Sequence, residues 1–142
     1  MPLAGHRRIA LDSNVLIYLL EGDARFADAA ATVVDAIERG DVEGVVASLA
    51  IVEILSGPAR AGDAIAFERA ADAIASLALT VVDLDRGLAE DAAWLHGALG
   101  GTAADAIHLA TARRAGATAF VTNDQRLRSI PRLEIVYLEA VA

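Results

Sequence analysis

Short runs of β-forming residues alternate with longer stretches of helical periodicity along nearly the whole chain, and no other feature constrains the fold as strongly. The β-like runs lie at residues 8–11 (RIAL), 44–47, 79–82, 117–121 and 133–138. Between them the spacing of apolar residues predicts helices over 14–21, 25–39, 48 to about 55, 65–77, 87–99 and 102–115. Phe26, Ala29, Val33, Ala36 and Ile37 mark one face of the second helix, Gly40 suits its end, and Gly57-Pro58 predicts a break after the third. Neighbouring strands joined through helices are parallel, because only a long crossover returns the chain to the same edge. The pattern predicts five strands among about seven helices. The expected fold is a three-layer α/β/α sandwich around a mostly parallel five-stranded sheet, in one domain spanning residues 1–142.

Composition then removes chemistries. The 142 residues include no cysteine and, among 12 basic side chains, no lysine. Thiolate nucleophiles, zinc–thiolate sites and disulfides are therefore absent, as are a Walker A phosphate loop and a Schiff-base lysine. An active site must use carboxylates, hydroxyls, amides, arginine or the three histidines. The 20 acidic residues give a net charge of −8, which argues against coating nucleic acid with a basic surface. It leaves open an enzyme that presents carboxylates to metal ions. Hydrophobic residues reach 56%, yet no uninterrupted apolar run approaches the ~18 residues of a membrane span. Arg7-Arg8 precedes an apolar stretch, but Asp12 interrupts it and no small-residue cleavage pattern follows. A soluble, cytoplasmic protein is expected.

In open parallel sheets, sites form beyond the carboxyl ends of the strands. Four acids fall where the topology reaches that edge: Asp12 in LDSN, Glu53 in SLAIVEIL, Asp105 in GTAADAIHLA and Asp124 in VTND. Each also has a structural reading. Asp12 or Ser13 suits a helix cap, Thr102 with Asp105 matches a capping box, and Asp124 suits a turn. Glu53 is harder to assign to structure alone, because its neighbours are apolar and a buried acid needs a partner. Four carboxylates at one edge repel unless a cation joins them, and Mg²⁺ or Mn²⁺ accepts such oxygen ligands.

The segments IALDSNVLIYLL (9–20), SLAIVEIL (48–55), ADAIHLATA (104–112) and FVTNDQRL (120–127) together resemble the PIN-domain family, in particular its VapC-like toxin ribonucleases. The resemblance implies that Asp12, Glu53, Asp105 and Asp124 form an acidic centre for Mg²⁺ or Mn²⁺, with Asn14, Thr122 and Ser13 in support. It implies metal-dependent hydrolysis of RNA with water as nucleophile, leaving 5′-phosphate and 3′-hydroxyl ends. It also implies a small antitoxin partner, which would occlude the cleft, and a homodimer. Two alternatives stand beside it: a catalytically silent PIN-like binding module, and a PIN-type nuclease acting on DNA or structured nucleic acid.

Other residues divide between roles. His108 lies one turn beyond Asp105 and is a candidate for RNA contact or proton transfer, with packing the favoured role. Arg126 and Arg128 are candidate substrate contacts, grouped with Arg132 and with Arg7-Arg8 as phosphate-steering guanidiniums. Arg113-Arg114 are read as structural or surface residues near a helix end. Trp94, Leu95 and Leu99 are read as core or dimer surface.

Overall fold

A computed structural model describes residues 2–141. In chain order it contains β1 (Arg8–Leu11), α1 (Ser13–Glu21), α2 (Ala27–Glu38), β2 (Glu43–Ala47), α3 (Ser48–Arg60) and α4 (Ala64–Ser76). Then follow β3 (Leu79–Val82), α5 (Arg86–Leu99), α6 (Ala103–Arg114), β4 (Ala119–Thr122) and β5 (Glu134–Tyr137), closed by a short 3₁₀ turn. Six α-helices are described, one fewer than the pattern suggested. The strands form one sheet in the order β3-β2-β1-β4-β5, and every pairing is parallel.

Period-two alternation explains how so short a sheet separates two layers of helices. Ile9 and Leu11 of β1, Val46 of β2 and Val121 of β4 pack with α1, α2 and the start of α3. Ala10, Val45, Phe120 and Ile135 point the other way and pack with α6, while α5 and α6 meet through Leu88, Ala92, Ala106 and Ala110. Both faces of the central strands are covered, which is why those strands read as continuous apolar runs. The small alanine contacts let α5 lie close against α6.

Two expectations need correction. The third helix does not stop before Gly57-Pro58 but runs through to Arg60. A helical φ suits proline, and Pro58 forfeits only the bond its missing N–H would make to the Ile54 carbonyl. The ladder resumes at once, with Ala61 N donating to the Gly57 carbonyl at 3.1 Å. Trp94 is not a core residue: it is 84% exposed, and with Leu95, Arg113, Arg114 and Arg132 it lines a cavity of about 790 Å³ beside the amino end of β4. Arg114 is tied there to Asp85 and Asp91 at 2.9 and 3.2 Å, joining the end of α6 to the start of α5. Among the described residues, no helix is long and apolar enough to cross a membrane.

Candidate metal centre

Asp12 is the residue at which β1 becomes α1. Its extended backbone (φ −72°, ψ 154°) makes it the N-cap, and its Oδ1 accepts from Ser13 N at 2.8 Å. The cap fixes the carboxylate at the carboxyl end of the central strand. Its other oxygen, Oδ2, accepts from the hydroxyl of fully buried Thr122 at 2.8 Å, and Asn14 Nδ2 lies 3.5 Å away. Asn14 also reaches across to β4, where it meets Thr122 Oγ1 at 3.4 Å and accepts from Asn123 N at 3.3 Å. The ends of β1 and β4 are thereby clamped around one carboxylate.

Glu53 and His108 come from helices 55 residues apart in sequence and meet beside it. His108 Nε2 donates to Glu53 Oε1 at 2.5 Å and stands 3.9 Å from Asp12 Oδ1. One donor atom from each of Asp12, Glu53 and His108 lies within 4.8 Å of the others. The electrostatics are uneven. Burial pushes Asp12 above the ordinary carboxylate value, against the pull of His108, Thr122 and the Ser13 amide. The His108 hydrogen bond holds Glu53 below its ordinary value despite partial burial, and the Ser13 side chain acts in the same direction. Burial works to lower His108, but the Glu53 hydrogen bond and the charges of Asp12, Glu53 and Asp105 outweigh it, and its value is raised. His108 Nδ1 is buried without a partner, so the ring is held through Nε2 alone.

Asp105 and Asp124 gather around a different basic side chain. Asp105 sits in the first turn of α6 in a complete capping box: its N–H donates to Thr102 Oγ1 at 3.0 Å, and its Oδ2 accepts from Thr102 N at 3.3 Å. Gly101 precedes the box with φ +73°, and a Cβ there would stand 3.3 Å from Asp105 Oδ2. Glycine thus supplies both the left-handed turn and the space for the carboxylate. Asp124 opens the loop after β4, its Oδ1 accepting from Arg126 N at 3.0 Å in an Asx turn. The Arg126 side chain folds back as a fork, Nε to Oδ1 at 3.0 Å and Nη2 to Oδ2 at 2.6 Å. Nη2 is also 3.9 Å from Asp105 Oδ2. The Arg126 guanidinium holds Asp124 below the ordinary carboxylate value.

The two groups are connected. Thr122 Oγ1, which donates to Asp12, accepts from Asp124 N at 3.0 Å. The grouped arginines separate in space. Arg126 alone of that group pairs with these acids. Arg128 donates to the carbonyls of Gln125 and Leu127 and to Tyr137, bracing its own loop. Arg132 lines the cavity beside Trp94, and Arg8, at the start of β1, pairs with Glu43 at 2.6 Å. The partnership of His108 with Glu53 is the feature that sequence reasoning undervalued. Its signal was the placement of His108 three residues after Asp105, on the face already assigned to the site.

A family model described as PIN domain matches residues 9–133. No curated protein matches the chain. Among solved structures, VapBC2 from Rickettsia felis, bound to a DNA fragment from its promoter, is similar with a TM-score of 0.74 and 16% identity, covering 92% of this chain and 98% of the other. A toxin–antitoxin complex from Klebsiella pneumoniae gives a TM-score of 0.68 at 21% identity, covering 88% and 94%. The Mycobacterium tuberculosis toxin VapC20, described as cleaving the sarcin–ricin loop, gives 0.60 at 22%, covering 79% and 86%. At these identities the likeness is one of fold.

Proposed function

The chain belongs to the PIN domain family, and from that premise we propose that it is a metal-dependent endoribonuclease, the toxin of a toxin–antitoxin pair. The observation that carries the proposal is the approach of Asp12, Glu53 and His108 within 4.8 Å at the carboxyl edge of a parallel sheet. Asp105 and Asp124 are joined to that group through Thr122 and by the attraction of Asp105 for His108.

The residues present fit a hard divalent ion. Asp12 is a buried carboxylate whose desolvation its neighbours only partly offset, so it gains from a further cation. With His108 turned toward Glu53 as a donor, the ligands left are carboxylate oxygens and water, the preference of Mg²⁺ or Mn²⁺. Asp12, Glu53 and Asp105 would hold the principal ion, with Asp124 acting directly or through water. When bound, such an ion supplies charge neutralisation for the phosphodiester and acidifies a water molecule. The protein's own groups do the positioning. His108 orients Glu53, Thr122 and Asn14 fix the Asp12 carboxylate, and Ser13 caps it through its amide. Attack of water at phosphorus with loss of the 3′-oxygen leaves 5′-phosphate and 3′-hydroxyl ends.

RNA as substrate is supported by the family resemblance and by a structural neighbour described as cleaving the sarcin–ricin loop. A small antitoxin is the proposed protein partner, since two neighbours are toxin–antitoxin assemblies. A second copy is the other, consistent with apolar Val52 and Ile65 left 61% and 67% exposed. The cytoplasm, where RNA is met, is the proposed location. The test is RNA cleavage by purified protein in Mg²⁺ or Mn²⁺. Wild type should cleave and Asp12→Asn should not, with both folded by circular dichroism. Equal cleavage by the two would remove Asp12 from the site.

A further inference from the structure

Two basic side chains already occupy the acid centre, and they differ in kind. His108 is 3% exposed, fixed in the core of α6, and stays between Asp12 and Glu53 unless a helix moves. Arg126 lies on a surface turn with its side chain 72% exposed, while the carboxylates it pairs with are 20% and 21% exposed. Its backbone N–H is anchored to Asp124 Oδ1, so the side chain can swing outward without the loop leaving its place. A guanidinium does not lose its proton at any working pH. It therefore leaves the carboxylates only by moving, which an exposed ion pair does readily, and a stronger cation keeps it displaced.

We propose that Arg126 is a tethered counter-cation of the Asp105–Asp124 half, and that a divalent ion enters there by exchange, displacing the guanidinium. This rests on the metal-dependent reading above and adds to it a residue and an order of events. Without an ion, Arg126 relieves the repulsion between the two acids. With one, both acids turn to the divalent charge, whose attraction for each is about twice that of a guanidinium at equal distance. The released fork, still held by its turn, stands at the rim of the centre with donors free for a phosphate oxygen. One residue thus balances charge in the resting protein and contacts substrate in the loaded one. Arg128 has no such freedom, because its guanidinium is engaged by loop carbonyls and Tyr137.

The test is nuclear magnetic resonance of the full chain titrated with Mg²⁺, following the Arg126 Nε–H signal, identified by its absence in Arg126→Gln. In metal-free protein that signal should be slowed in exchange with water, and it should collapse to the exposed-arginine position as Mg²⁺ saturates. Mn²⁺ titration by calorimetry should show Arg126→Gln binding roughly two- to fivefold tighter than wild type, the scale of one exposed ion pair removed. If the Ser13 and Asn14 amides respond to Mg²⁺ while the Arg126 signal stays fixed and the affinities match, the exchange is overturned and the metal-dependent reading stands. If no signal responds and neither protein binds Mn²⁺, both fall.

Discussion

The Asp12 half and the Asp124 half of the acid centre share one sheet edge and one bridging hydroxyl, yet they hold negative charge in different ways. In the first, burial raises Asp12 above its ordinary value and a buried imidazole stands between two carboxylates. In the second, an exposed guanidinium lowers Asp124, and backbone amides of a capping box and an Asx turn position the acids. The difference is one of cost. A desolvated carboxylate is held at the expense of stability and gains most from a metal. A carboxylate already paired with a guanidinium and backbone amides is satisfied and gains less. The Asp12 half should therefore carry most of the metal affinity, and the Asp124 half should tune it.

The two halves should differ most at their carboxylates. Glu53→Gln should lower the RNA cleavage rate by at least about a hundredfold, the scale of losing an ion that supplies several kcal/mol. Asp124→Asn should lower it by about tenfold. Equal losses measured under saturating Mn²⁺ would erase the distinction between the halves.

The bridging hydroxyl comes next. Thr122→Val keeps shape but removes the donor to Asp12 and the acceptor for Asp124 N. It should cost about 1–3 kcal/mol in urea unfolding, because it strands buried polar groups. It should also weaken Mn²⁺ binding at both halves. A loss of stability with unchanged metal binding would make Thr122 purely structural.

A smaller effect is expected from pH in the metal-free protein. Glu53 is lowered, so its contribution is present above the ordinary value of 4.5 and fades as pH falls through its folded value. His108 is raised, so its contribution is present below the ordinary value of 6.5 and fades as pH rises through its folded value. Their pairing thus stabilises most between pH 4.5 and 6.5. Asp12, being raised, works against stability once it ionises. The wild-type melting temperature should fall above that window relative to His108→Gln, and parallel profiles would contradict the pairing. Smallest of all, Arg126→Gln should leave the urea-unfolding midpoint of the metal-free protein essentially unchanged, because its ion pair is solvated.

Much of this was legible in the chain. The alternation of short strands and helices placed β1 and β3 to the residue, because Asp12 and the flanking polar segments end those apolar runs sharply. Asp12, Asp105 and Asp124 were visible because each sits where a strand or helix begins or ends and its capping or turn chemistry marks the spot, whereas Glu53, inside α3, stood out as an acid among apolar neighbours. What was less visible depended on packing between distant elements. The approach of α3 and α6 decides that His108 faces Glu53, and no local pattern encodes that approach. Pro58 in the third helix misled because its single lost bond falls at the last turn, where little ladder remains to break. Trp94 has core chemistry, but α5 leaves it exposed in the cavity it lines with the end of α6.

On the reading proposed above, the Asp12 half is a metal site made unstable by its own charge. It is tested most directly by the melting temperature of wild type and Asp12→Asn, with and without millimolar Mg²⁺ or Mn²⁺. The wild-type value should rise on metal addition, reflecting the ~2.7 kcal/mol of stabilisation expected at a hundredfold excess over the dissociation constant. Asp12→Asn should be at least as stable as metal-free wild type and should not respond. A flat wild-type response, or an equal rise in both proteins, would contradict that reading.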